Sequence, residues 1–109
     1  MIREEGFVTA REQFQTLTEP MYYILLSFLE PRCGVDVMEK VEEISHGRVK
    51  VGPGTLYALL GKFEKEHMIV ETEVVGRKRT YVITAKGRQA LQEEYKRLLT
   101  LVEDGRDFL

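Results

Sequence analysis

Among the side chains with chemistry to offer in this chain, the cations gather. Gly76-Arg77-Lys78-Arg79 is a basic run behind a glycine, Arg48 and Lys50 flank a valine, and Lys62 and Lys65 follow. Groups of this kind hold phosphates. They neutralise a polyanion and release its counterions, and they make no covalent bond. Between them stands Gly52-Pro53-Gly54-Thr55-Leu56-Tyr57. Its small residues allow close approach, and its hydroxyl and phenol can reach a base edge or a phosphate. Bond-making chemistry has little to stand on. There is no nucleophile-elbow glycine pattern, no zinc-protease helix, and no Lys-Ser/Thr ending that would turn Gly52 and Gly54 into a phosphate loop. The expectation is a protein that is not an enzyme and needs no cofactor. Cys33 is the single cysteine, so an internal disulfide is excluded, and a lone thiol is expected to be inert. His46 and His67 lack a ligand spacing, so no metal site is expected.

The charge balance argues the other way until it is resolved by segment. The 109 residues carry a net charge of −2, which speaks against a polyanion partner if evenly spread. It is not evenly spread. Residues 18–47 sum to −4, with Glu39, Glu42 and Glu43 prominent, whereas residues 48–80 set seven bases against four acids and sum to +3. A length of 109 residues suits one domain with a lean core, which a second copy of the chain would help to stabilise. The chain has no apolar run of about 18 residues and no apolar core of about 7–15 residues behind a basic start. No membrane span and no signal peptide are expected, and the expected location is the cytoplasm.

The elements that must position these groups can be read from periodicity. Residues 1–17 carry Phe7, Val8, Phe14 and Leu17 at spacings of a short helix or arm. Thr18 can cap a helix whose first turn holds Glu19 and Pro20, with Met21, Ile24, Leu25, Phe28 and Leu29 on its apolar face. Residues 30–34 break it. A second helix is predicted over about residues 35–45, with Val37, Met38, Val41 and Ile44 inward and Gly47 as a left-handed end. Residues 48–51 alternate and read as a short strand or extended loop. Pro53 then opens a third helix, with Leu56, Leu59, Leu60 and Phe63 on one side and Thr55, Tyr57, Ala58, Gly61, Lys62 and Lys65 on the other. The period changes to two over residues 68–75 and 80–84, a hairpin with residues 76–79 as its basic tip.

Thr84 caps a long fourth helix to about residue 103. Its residues Leu91, Tyr95, Leu98 and Val102 step by four, three and four, a coiled-coil-like seam. With Leu99 and Leu101 the apolar arc is about 160° wide, more than the roughly 100° that docking on one neighbour requires. The helix is therefore expected to serve its own domain and a partner. The fold class is mainly α with a small β-hairpin (α+β): a winged helix-turn-helix over residues 18–84, an arm at 1–17 and a dimerisation helix at 85–109. In such a fold the third helix enters the major groove of double-stranded DNA and the hairpin reaches neighbouring phosphates. Arg48, Lys50, Gly54, Thr55, Tyr57, Lys62, Arg77, Lys78 and Arg79 are the predicted DNA-facing set. Phe7, Phe14, Leu91, Tyr95, Leu98, Leu99, Val102 and Phe108 are the predicted homodimer contacts. A winged helix that binds protein instead of DNA is the alternative reading.

Leu17-Thr18-Glu19-Pro20-Met21-Tyr22-Tyr23-Ile24-Leu25-Leu26, Gly52-Pro53-Gly54-Thr55-Leu56-Tyr57, Glu64-Lys65-Glu66 and Gly76-Arg77-Lys78-Arg79 together resemble the PadR family of bacterial transcriptional regulators, in a short form with a single C-terminal helix. So does Val102-Glu103-Asp104-Gly105-Arg106. The resemblance implies a homodimer, a repressor-type role, and Thr55 and Tyr57 on the DNA-facing side of the recognition helix. It also implies a small aromatic effector near the dimer interface, where Tyr22, Tyr23 and Tyr95 are the candidates. For Tyr22 and Tyr23, packing against the fourth helix is the competing account. The family often has a glycine at the end of its third helix. Here it is His67, so that turn is expected to need a strained or different cap.

Overall fold

The computed structural model describes residues 16–109. Its elements run α1 (Glu19–Ser27), β1 (Arg32–Cys33), α2 (Gly34–Ile44), α3 (Pro53–Lys65), β2 (Ile69–Val75), β3 (Lys78–Ile83) and α4 (Ala85–Gly105). The three strands form an antiparallel sheet in the order β1-β3-β2. This is the α+β winged helix expected from the sequence. The predicted arm, with Phe7 and Phe14, lies outside the described residues.

Local chemistry starts the helices where the sequence says they start. Thr18 Oγ1 accepts from the Met21 N–H at 3.3 Å, with Pro20 in the first turn of α1. Thr84 does the same for α4, accepting from the Gly87 N–H at 3.0 Å while donating to the His67 carbonyl at 2.7 Å. These caps satisfy N–H groups that a helix leaves orphaned. Pro53 opens α3, where its fixed φ and missing N–H cost nothing.

The core sits where the apolar faces meet. Ile24, Leu25 and Phe28 come from the α1 region, Val37 and Val41 from α2, Leu56, Leu60 and Phe63 from α3, Ile69, Tyr81 and Ile83 from the sheet, and Ala90 and Leu91 from α4. Val49 and Val51 are buried beneath the turn that joins α2 to α3. That turn is pinned by Ser45, whose Oγ accepts from the Val49 N–H at 3.0 Å.

Several expectations need correction. Arg32 and Cys33 are a third strand paired with Tyr81 and Thr80, not merely a break between helices. Two residues are too few for any periodicity to announce them. Leu29 was expected on the buried face of the first helix but is exposed, because α1 ends at Ser27 and the chain turns away. Of the two readings left open for residues 48–51, short strand or extended loop, the structure has the extended loop. The hairpin tip is only Gly76 and Arg77, with Lys78 and Arg79 already in β3. Gly76 has φ 61° and Arg77 is not left-handed, the pattern of a II′ turn with glycine first. The left-handed end of α2 uses His46 (φ 56°) as well as Gly47. His67 has φ 62°, the strained turn expected where a glycine is missing. No helix among the described residues is long and apolar enough to cross a membrane.

Candidate nucleic-acid interface

Helix α3 buries Leu56, Leu60 and Phe63, and its 3.6-residue period forces the residues between them outward. Gly54, Thr55, Tyr57, Ala58, Gly61, Lys62 and Lys65 are all exposed. Tyr57 keeps 54% of its surface in solvent although it is a large aromatic. Its ring rests on the start of α2. A Cβ placed at Gly34 would lie 3.3 Å from Tyr57 Cε1 and 3.3 Å from Leu60 Cδ1, so the two helices of the helix-turn-helix cross closely there.

The hairpin brings its cations to the same place. Tyr57 of α3, Gly34 and Val35 of α2, and Arg77, Lys78, Arg79 and Tyr81 of the wing line one open cleft of about 430 Å³. Three segments distant in sequence thus converge on a basic, phenol-bearing surface. The bulge at Thr72, where the register shifts between Glu71 and Glu73, adds twist to the hairpin that carries it. Burial pushes the Tyr81 hydroxyl above its ordinary range, aided by nearby Glu64 and opposed by Arg79.

The nine predicted DNA-facing residues do not all have the same surroundings. Lys62, Arg77 and Lys78, together with Lys65, form no ion pair among the described residues. Arg79 lies 3.8 Å from Glu71 and Lys50 lies 3.9 Å from Glu42, both loose contacts. Arg48 is different: it donates to Glu19 at 3.1 Å and to the Tyr23 hydroxyl at 2.8 Å, away from the cleft.

A family model for PadR-like transcriptional regulators matches residues 24–93, most of the chain. The chain belongs to this PadR-like family. Its members are transcriptional regulators rather than enzymes. A PadR-like transcription factor from Bacteroides fragilis is similar in structure, with a TM-score of 0.70 and 25% identity, covering 91% of this chain and 97% of that one. A transcriptional regulator from Clostridium thermocellum has the same fold, with a TM-score of 0.70 at 19% identity over 84% of this chain and 94% of that one. In sequence, an uncharacterised 37.1 kDa protein of transposon Tn4556 from Streptomyces fradiae is 33% identical over 64 residues. That match takes in 59% of this chain but only 18% of the transposon protein.

In this PadR-like chain Tyr22 stands next to both other tyrosines of the predicted effector set. Tyr22 and Tyr23 meet edge to face at 5.9 Å. Burial raises the Tyr22 pKa, and Tyr95, Tyr23 and Glu94 beside it raise it further. The Tyr23 hydroxyl also accepts a hydrogen bond from Arg48. Of the predicted dimer contacts, Leu91 is buried in the chain's own core, on the helix α4 that packs against α1 and β3. Leu98 is half-buried, and Tyr95, Leu99, Val102 and Phe108 are exposed, as is Leu101. Glu94 was not singled out from the sequence. It is 1% exposed and paired with Arg97. Its place between Leu91 and Leu98, three residues after one and four before the other, is the signal that could have found it.

Among the described residues no group of His, Cys, Asp and Glu could hold a metal. The Cys33 thiol is buried and donates to Asp36 Oδ2 at 3.1 Å.

Proposed function

We propose that this PadR-like regulator binds duplex DNA as a homodimer through α3 and the wing, and represses by occupying promoter DNA. The observation that carries the reading is the cleft in which Tyr57, Arg77, Lys78 and Arg79 meet beside the exposed face of α3. A helix bearing small residues, a threonine and lysines on its solvent face fits the major groove, and flanking cations suit the phosphates beside it. The acidic total does not oppose this, because Asp36, Glu39 and Glu43 lie on α2 and line a separate groove with Arg32 and Lys40.

The exposed stripe from Tyr95 to Val102 supports pairing through α4. Four large apolar side chains on one stretch of helix make a patch that a lone soluble domain rarely leaves open. A two-fold pair would set two recognition helices about one DNA turn apart, roughly 34 Å, on a two-fold-related site. A small aromatic effector seated by Tyr22 and Tyr95 would act by favouring one spacing of the two wings over another. Selection of genomic fragments by the full chain tests the reading. Enrichment of a shared two-fold-related sequence supports it. Absence of any enrichment at low salt overturns it.

A further inference from the structure

One side chain ties the outer side of the α2–α3 turn to α1. Arg48 donates through Nη2 to the Tyr23 hydroxyl at 2.8 Å and through Nη1 to Glu19 Oε2 at 3.1 Å, across 25 and 29 residues of sequence. Glu19 and Tyr23 are four residues apart on α1 and so lie one above the other. The rigid guanidinium fork presents a separate nitrogen to each, where an ammonium has a single nitrogen to share between them. Tyr23 in turn stands against the Tyr22 ring. Tyr22 has Tyr95 and Glu94 of α4 beside it. Beneath the turn, Val49, Val51 and Ser45 are fixed by the core.

Resting on the DNA-binding reading above, we infer that Arg48 is a positioning residue and not a phosphate contact: it clasps the turn before α3 to α1 and fixes the angle at which α3 is presented. Reaching a phosphate from this position would leave Arg48 only the N–H groups that Tyr23 and Glu19 do not take. It would also leave the Glu19 carboxylate beside the same anion, so the charge gained would be cancelled. The clasp lies between α4 and the recognition helix.

Two variants that leave the net charge unchanged test this: Tyr23→Phe and Arg48→Lys. Each is read by duplex affinity across a salt series and by amide hydrogen exchange in residues 46–51. The clasp predicts that both weaken duplex binding by about threefold to tenfold, with the slope of log affinity against log salt unchanged. It also predicts faster exchange in the turn, with no change in β2 and β3. A phosphate contact keeps its cation in both variants. Affinity equal to wild type or tighter in either variant therefore overturns the inference, and so does unchanged exchange in the turn. If the wild-type chain binds no duplex, the DNA-binding reading fails by itself, and the exchange measurement alone decides the clasp.

Discussion

Gly87→Ala tests how α4 is seated on the winged domain. A Cβ at Gly87 would lie 2.2 Å from the Met68 carbonyl oxygen and 2.8 Å from Ile83 Cγ1. The nearer atom is backbone, so no rotamer change relieves the clash, and the gap has to open by about 1 Å before the contact becomes tolerable. That same carbonyl accepts from the Thr84 N–H at 2.9 Å, in the cap of α4. Overpacking of this kind costs about 1–3 kcal/mol, and weakening the Met68–Thr84 hydrogen bond adds about 1 kcal/mol. Alanine returns about 1 kcal/mol of helix propensity. The net loss is about 2 kcal/mol, which for a domain near this size lowers Tm by about 8–16 °C. Thermal unfolding followed by circular dichroism measures it. An unchanged Tm, or a rise as expected from helix propensity alone, would refute the packing of α4 described above.

Three further outcomes are expected. Gly61→Ala has open space around the added methyl, so it should stabilise the fold by up to about 1 kcal/mol while weakening duplex binding. Weaker binding in a more stable protein is the signature of a residue on the recognition face, checked by thermal melting and titration together. Val102→Asp puts a charge in the exposed stripe of α4 and should shift sedimentation from dimer to monomer with little change in circular dichroism. Burial holds the Tyr22 phenol neutral and raises its pKa. The stability this contributes is therefore present below the ordinary tyrosine pKa of about 10 and is lost as pH rises through the folded value. Denaturant melts over about pH 9–11 should show a fall in stability that Tyr22→Phe makes shallower.

Much of this architecture was legible because it follows from local rules. Thr18, Pro53 and Thr84 mark helix starts by chemistry that acts within three residues. The exposed face of α3 follows from the spacing of Leu56, Leu60 and Phe63. Long-range pairings were not legible. Arg32 and Cys33 become a strand only because β3 is there to bond them, and Arg48 turns from the recognition helix to α1 because Glu19 and Tyr23 present two acceptors. A basic residue in sequence does not reveal whether its charge is already taken. Leu91 illustrates a subtler limit: a heptad-like seam can begin inside a domain's own core and emerge to the surface further along. The α4 stripe does so between Leu91 and Tyr95.

The salt dependence of duplex binding tests the central claim most directly. Among the described residues, Lys62, Lys65, Arg77 and Lys78 are the cations of α3 and the wing that form no ion pair. Two protomers bring about eight such charges, which gives a slope of about −7 in log affinity against log salt, or a loss of about 10⁴-fold between 50 and 200 mM. Replacing Arg77 and Lys78 with alanine in both protomers should bring that slope to about half. A wild-type slope near zero, or a slope that the double variant leaves unchanged, would contradict the assignment of α3 and the wing as the DNA-binding face.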